Sequence, residues 1–141
     1  MKLKSKSKSM KKLRIAIVGS RDYGNLKLVE NFVKHLPENC IVVSGGANGV
    51  DKCAENIASM CSVPTKIYKP DWKTLGKAAG FIRNEKIIDD CDICVAFWDL
   101  KSHGTLNSIN WAKKKNKLLI VIDEDGTIKF NHKILLVPVE D

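Results

Sequence analysis

The sequence predicts a three-layer α/β fold, with a mostly parallel sheet and helices on both faces, and three observations carry that expectation. Short apolar runs alternate with segments whose apolar residues recur at helical spacing. The links between them are short, which favours right-handed crossovers that pack helices against a sheet. Asp92-Ile93-Cys94-Val95-Ala96-Phe97 is almost continuously hydrophobic, as suits a central parallel strand covered on both sides.

Ile15-Ala16-Ile17-Val18 reads as the first strand, ended by Gly19, and Leu26, Val29, Phe32, Val33 and Leu36 mark the helix behind it. Pro37, Glu38 and Asn39 break the chain before a second strand, Cys40-Ile41-Val42-Val43. Val50, Ala54, Ile57, Ala58 and Cys61 form the stripe of the next helix, and Thr65-Lys66-Ile67-Tyr68 is a weaker strand nearer the sheet edge. Pro70 to Lys77 reads as a connection, followed by a helix through Ala78, Ala79, Ile82, Lys86 and Ile87. After the 92–97 strand, a helix starts near Thr105 and uses Leu106, Ile109 and Ala112. Leu118-Leu119-Ile120-Val121-Ile122 is a further strand, and Asp125-Gly126 is a turn beyond it. Ile134-Leu135-Leu136-Val137 is a candidate last strand, with Thr127-Ile128-Lys129-Phe130 as its hairpin partner.

The chain has 141 residues and 44% hydrophobic content, enough for one core and not for a second independent domain. Its formal net charge is +8, but Lys2, Lys4, Lys6, Lys8, Lys11 and Lys12 supply six of those charges, which leaves +2 for the remainder. Residues 1–13 therefore read as a basic disordered arm and 14–141 as a single ligand-binding domain. The arm has two open uses, non-specific affinity for nucleic acid or simple solubilisation. No apolar run is long enough to span a bilayer, so no membrane partner is expected. Five cysteines, at 40, 53, 61, 91 and 94, lie in apolar surroundings and suit buried thiols in a reducing, cytoplasmic setting; Cys91 and Cys94 are close in sequence, but Cys94 falls in a strand and no second close pair completes a tetrahedral metal site.

Three glycine-containing turns follow strands and precede helices: Gly19-Ser20-Arg21, Ser44-Gly45-Gly46-Ala47-Asn48-Gly49 and Ser102-His103-Gly104-Thr105. All three fall at the same end of a parallel sheet, where backbone N–H groups and helix N-termini hold phosphates and sugars. Ser44 adds a hydroxyl, Asp51 an acceptor for a ribose hydroxyl, and Arg21 a fork for phosphate. Asn48, Asp51 and Thr105 serve equally as helix caps. Arg83 and Asn84, just inside a helix, reach toward the same mouth, with Glu85 beside them, and Trp72 is the candidate lid or stacking residue. Neither a Gly-Lys-Ser/Thr phosphate loop nor a dinucleotide fingerprint is present.

As an ordered set over residues 14 to 122, these turns together with Ala79-Gly80-Phe81-Ile82-Arg83-Asn84 and Ala96-Phe97-Trp98-Asp99 resemble the SLOG superfamily, particularly its YspA-related members. That resemblance implies a Rossmann-like domain that senses or processes a nucleotide or a derivative such as ADP-ribose, and a homo-oligomer. It extends further to the cytokinin-activating phosphoribohydrolases and to the DprA family, the second of which implies a DNA-binding protein. A phosphoribohydrolase-like pattern is matched by Gly104 and Thr105, but Ser108 stands where the glutamate belongs. An N-glycosidic hydrolase would then need Asp51, Asp99 or Glu85 as base, with Arg21 or Arg83 on a phosphate.

Overall fold

A computed structural model describes residues 12–130. The elements follow the order β1 (Leu13–Gly19), α1 (Leu26–Lys34), β2 (Cys40–Ser44), α2 (Val50–Met60), β3 (Thr65–Ile67), α3 (Trp72–Leu75), a 3-10 turn (Gly76–Ala78), α4 (Ala79–Asp89), β4 (Ile93–Phe97), α5 (His103–Lys114), β5 (Leu118–Ile122) and β6 (Ile128–Phe130). They build one mixed sheet in the order β3-β2-β1-β4-β5-β6, in which only the β5–β6 pair is antiparallel.

Alternation along the strands divides the core into two layers, because successive side chains point to opposite faces. Ile15, Ile17, Val42, Val95 and Phe97 face α1 and α2, where Val29, Val33, Ala54, Ile57 and Ala58 meet them. Ala16, Val18, Val43, Cys94, Ala96 and Leu119 face α4 and α5, which supply Ile87, Ile88, Ile109 and Ala112. The three-layer expectation is met, and the hydrophobic 92–97 run is a central strand between β1 and β5. All five cysteines are free; Cys40, Cys91 and Cys94 are buried, whereas Cys61 is exposed. No described helix is long and apolar enough to cross a membrane.

Three sequence expectations change. The 70–77 connection contains α3 and the 3-10 turn, an exposed segment that Asp71 starts by accepting a hydrogen bond from Thr74 N–H at 3.2 Å. Leu13 belongs to β1 rather than to the basic arm. Ile128–Phe130 pairs with β5; its expected partner, Ile134–Val137, lies outside the described residues, as does the arm through residue 11.

Tyr23 ties the turn after β1 to the end of β5. Its hydroxyl donates to Asp123 O at 2.7 Å and lies 3.3 Å from Ile122 O, while its ring meets Phe97 edge-on at 5.7 Å. Burial, reinforced by Asp123, Glu124 and Asp125, pushes the phenol up to about 12. We expect Tyr23→Phe to lower the unfolding free energy by about 1 kcal/mol, the net worth of the lost hydrogen bond, as urea denaturation would measure.

Candidate functional site

The strand order reverses between β1 and β4, and a cleft of about 630 Å³ opens there at the C-terminal ends of the parallel strands. Open α/β sheets bind ligands at such a position, because the helices on either side diverge from it. The first turn, the 44–49 turn through Ala47, the α3–α4 segment and the turn before α5 all contribute to its lining.

The structure brings together Gly19, Arg21, Asp51, Trp72, Arg83, Asn84, Asp99, Ser102, Gly104 and Thr105 on the cleft wall. Ser20 sits just behind them, buried, with its hydroxyl 3.3 Å from Thr105 Oγ1 and accepting from Asp99 N–H at 3.2 Å. Asp99 is spent on local structure: its Oδ1 accepts from the N–H groups of Lys101 and Ser102 at 2.9 and 2.8 Å. Burial raises that carboxyl, but these hydrogen bonds outweigh it and hold Asp99 below the ordinary carboxylate range. It is an anchored acceptor and a poor proton carrier at neutral pH. Ser102, not Thr105, caps α5, accepting from Thr105 N–H at 3.3 Å.

The second turn is turned inward, contrary to its expected use as a phosphate cradle. Ser44 is fully buried and donates to Ile17 O at 2.8 Å. Gly45 O accepts from Arg83 Nη1 at 2.8 Å, and Ala47 N–H donates to Asp51 Oδ2 at 3.2 Å. The Asp51 carboxylate therefore occupies the opening of α2 that an anion would need. Gly46 lies against Ile67 on the β3 side, Gly49 against the backbone of Arg21, and Asn48 is exposed away from the lining. These glycines permit close packing of chain on chain.

Arg83 and Asn84 link the walls. Arg83 donates to Gly45 O, to Tyr68 O at 3.3 Å and, through Nε, to Asn84 Oδ1 at 3.0 Å. All three acceptors are neutral, so the guanidinium keeps its charge uncompensated by a contacting carboxylate among the described residues. Asn84 Nδ2 reaches Gly104 O at 3.3 Å and Asn107 Oδ1 at 3.1 Å. Burial lowers the Arg83 pKa, ionised Asp51 opposes that change, and the like charge of Arg21 adds to it. Two arginines thus share one opening.

Asp51 is buried, and its Oδ1 makes no hydrogen bond among the described residues. Desolvation pushes its carboxyl up to about 6 against the pull of Ala47 N–H, Arg83 and Gly45 N–H. Glu85, expected at the same mouth beside Arg83 and Asn84 and as a candidate base, is not in the cleft; it pairs at 3.0 Å with Lys115, the residue that ends α5. Trp72 is 56% exposed and Phe81 50% exposed, both on the rim. Sequence reasoning missed Lys77 and Lys101 as lining residues and did not single out Phe81 as a contact. The spacing of Trp72, Lys77 and Phe81 was a usable signal only with a helical segment at 72–78, which lacks an apolar stripe. No group of acidic, histidine or cysteine residues suited to a metal occurs among the described residues.

Comparison with known proteins corrects the family and the ligand expected from the sequence. Residues 3–67 match the family model of DNA recombination-mediator protein A. The Gene 61 protein of Mycobacterium phage D29 is 32% identical over 111 residues, covering 72% of this chain and 89% of its own length. Among solved structures, DNA processing protein A (DprA) from Streptococcus pneumoniae superposes with a TM-score of 0.69 at 22% identity, over 79% of this chain and 50% of that one. DNA processing protein A from Helicobacter pylori, described for its single-stranded DNA binding mode, gives 0.63 at 24% identity, over 79% of this chain and 66% of that one. This chain therefore spans half to two thirds of those two proteins.

The YspA-related SLOG reading and the sensing of a nucleotide-like small molecule, ADP-ribose derivatives included, do not stand beside these matches. The inward-turned 44–49 loop supplies the physical reason, since Ser44 Oγ, Gly45 O and Ala47 N–H are spent inside the protein. Of the relations drawn from the sequence, the more distant one to DprA is the one the matches favour. Over residues 3–67 the chain is similar to the DNA recombination-mediator protein A family, and as a whole it belongs to one family with the Gene 61 protein of Mycobacterium phage D29.

Proposed function

We propose that the cleft binds single-stranded DNA, with Arg21 and Arg83 holding backbone phosphate and Trp72 and Phe81 stacking on bases at the rim. The observation that carries this reading is the convergence of two arginines, neither ion-paired among the described residues, beside two half-exposed aromatic rings. Single-strand binding needs that combination: phosphate neutralisation gives salt-dependent affinity, and a base stacks on any aromatic face irrespective of sequence. Lys77 and Lys101 extend the positive edge. The likeness to a protein described as binding single-stranded DNA supports the same reading. The basic segment 1–12 adds non-specific affinity in this picture, and the place of action is the cytoplasm.

Fluorescence anisotropy with a labelled oligo-dT tests the reading. Phe81→Ala and Trp72→Ala should each weaken binding by about 1–3 kcal/mol, the usual worth of one stacked base. Arg21→Ala should reduce the slope of log K against log salt by about one while leaving stability unchanged, because Arg21 is exposed. Unaltered affinity in all three variants, or binding lost entirely on deleting residues 1–12, would remove the cleft from the account.

A further inference from the structure

The cleft lining is balanced in charge: Arg21, Lys77, Arg83 and Lys101 oppose Asp22, Asp51, Asp99 and Glu124. Two of those carboxylates are fixed by backbone donors, Asp99 by the N–H groups of Lys101 and Ser102 and Glu124 by Gly24 N–H. Asp51 differs from them in being buried, with one oxygen on Ala47 N–H and the other without a hydrogen-bond partner among the described residues.

Its position relative to Arg83 is set by Gly45. A Cβ built there would stand 2.6 Å from Arg83 Nη1 and 3.0 Å from Asp51 Oδ2. Carboxylate and guanidinium thus flank one residue, no more than about 6 Å apart, a separation at which a partly buried charge is felt strongly. They form no ion pair; the arginine is held by carbonyls instead.

From this geometry we propose that Asp51 is a positioning residue for phosphate binding: it clamps the Gly45–Ala47 turn that seats Arg83, and its charge state sets how much of the arginine's field reaches the strand. The proposal rests on the single-stranded DNA reading above. Ionised, Asp51 offsets the arginine; protonated, it keeps its hydrogen bond from Ala47 N–H and cancels nothing. The charged groups facing it are Arg83 from α4 and Glu55 from its own helix, while Arg21 acts on Arg83 from the β1–α1 turn. Its carboxyl changes charge near pH 6 because burial disfavours the anion.

The test is the affinity of labelled oligo-dT from pH 5 to 8 at constant ionic strength. A His103→Asn background serves throughout, because that residue lies between cleft residues Ser102 and Gly104 and the substitution takes its imidazole out of the comparison. Binding should tighten about fivefold as pH falls through 6, the effect of removing one nearby charge at intermediate dielectric. Adding Asp51→Asn should flatten the profile and place pH 8 affinity near the pH 5 value of the parent. The parent profile does not depend on the folding of Asp51→Asn, so it decides the matter even if that variant fails to fold. Strong binding with no pH dependence in the parent, or the same slope in parent and Asp51→Asn, overturns the role of Asp51 alone. Absence of binding at every pH overturns the DNA reading and this proposal with it.

Discussion

Gly49→Ala should lower the unfolding free energy by about 3–5 kcal/mol, the sum of a strained backbone and a steric overlap that cannot be relieved by rotating a side chain. Gly49 has φ of 86° and ψ of −126°, a region that L side chains rarely adopt. Its Cβ would lie 2.5 Å from Arg21 O and 2.7 Å from Arg21 Cα, both backbone atoms of the neighbouring turn. Either the start of α2 or the Arg21 turn must move. Because Arg21 lines the cleft, the variant should also weaken oligo-dT binding beyond what partial unfolding explains, under conditions where it remains folded. Urea denaturation gives the first number and anisotropy the second. A loss under 1 kcal/mol would show that the turn is far softer than its packing indicates.

The second large effect is a pH-dependent stability difference at Asp51. A carboxyl raised in the folded state from 3.8 to about 6 favours the native protein only while protonated. That contribution is present below the unfolded value near pH 4 and is lost as pH rises through 6, worth about 3 kcal/mol in all. Asparagine cannot ionise, so Asp51→Asn should gain on the parent by roughly that amount between pH 4 and 7.5. Taking the difference between two pH values cancels the constant cost of the new amide, whose N–H groups must find partners in a buried site. Urea midpoints of both proteins at the two pH values are sufficient. A parent–variant gap that does not change with pH would place the titration of Asp51 near that of an exposed carboxylate.

How far the sequence could have led differs between scaffold and site. Ile15–Val18, Cys40–Val43 and Leu118–Ile122 were legible because a strand buried on both faces leaves an uninterrupted apolar run. α1 was legible because Val29 and Val33 recur on the buried side. α3 was not, since its four residues are all exposed and an exposed single turn has no apolar period. The pairing of Ile128–Phe130 with β5 was hidden by the short apolar run at 134–137, an equally good partner by composition.

At the site, convergence of the β1, 44–49 and 102–105 turns followed from a parallel sheet placing them at one edge. The direction in which each turn faces did not follow. Ser44, Gly45 and Asp51 have the composition of a phosphate loop, yet the same groups satisfy Ile17 O, Arg83 and Ala47 N–H. Composition cannot distinguish donors aimed at a ligand from donors aimed at neighbouring chain, because both demand small residues and close approach. Glu85 was misplaced for a related reason: one step along α4 turns a side chain by 100°, from the cleft to Lys115.

Arg83 and Asn84, adjacent on α4, grasp opposite banks of the cleft. A gap spanned by covalent neighbours has its width dictated by helix pitch, as a fixed-span gauge does. On the reading proposed above, the guest would then adapt to the host, and a limp single strand could follow such a cleft where a stiff object could not. Association should then be limited by how the polymer coils and unstacks in solution, so its speed would vary with oligonucleotide flexibility more than with any motion of the protein.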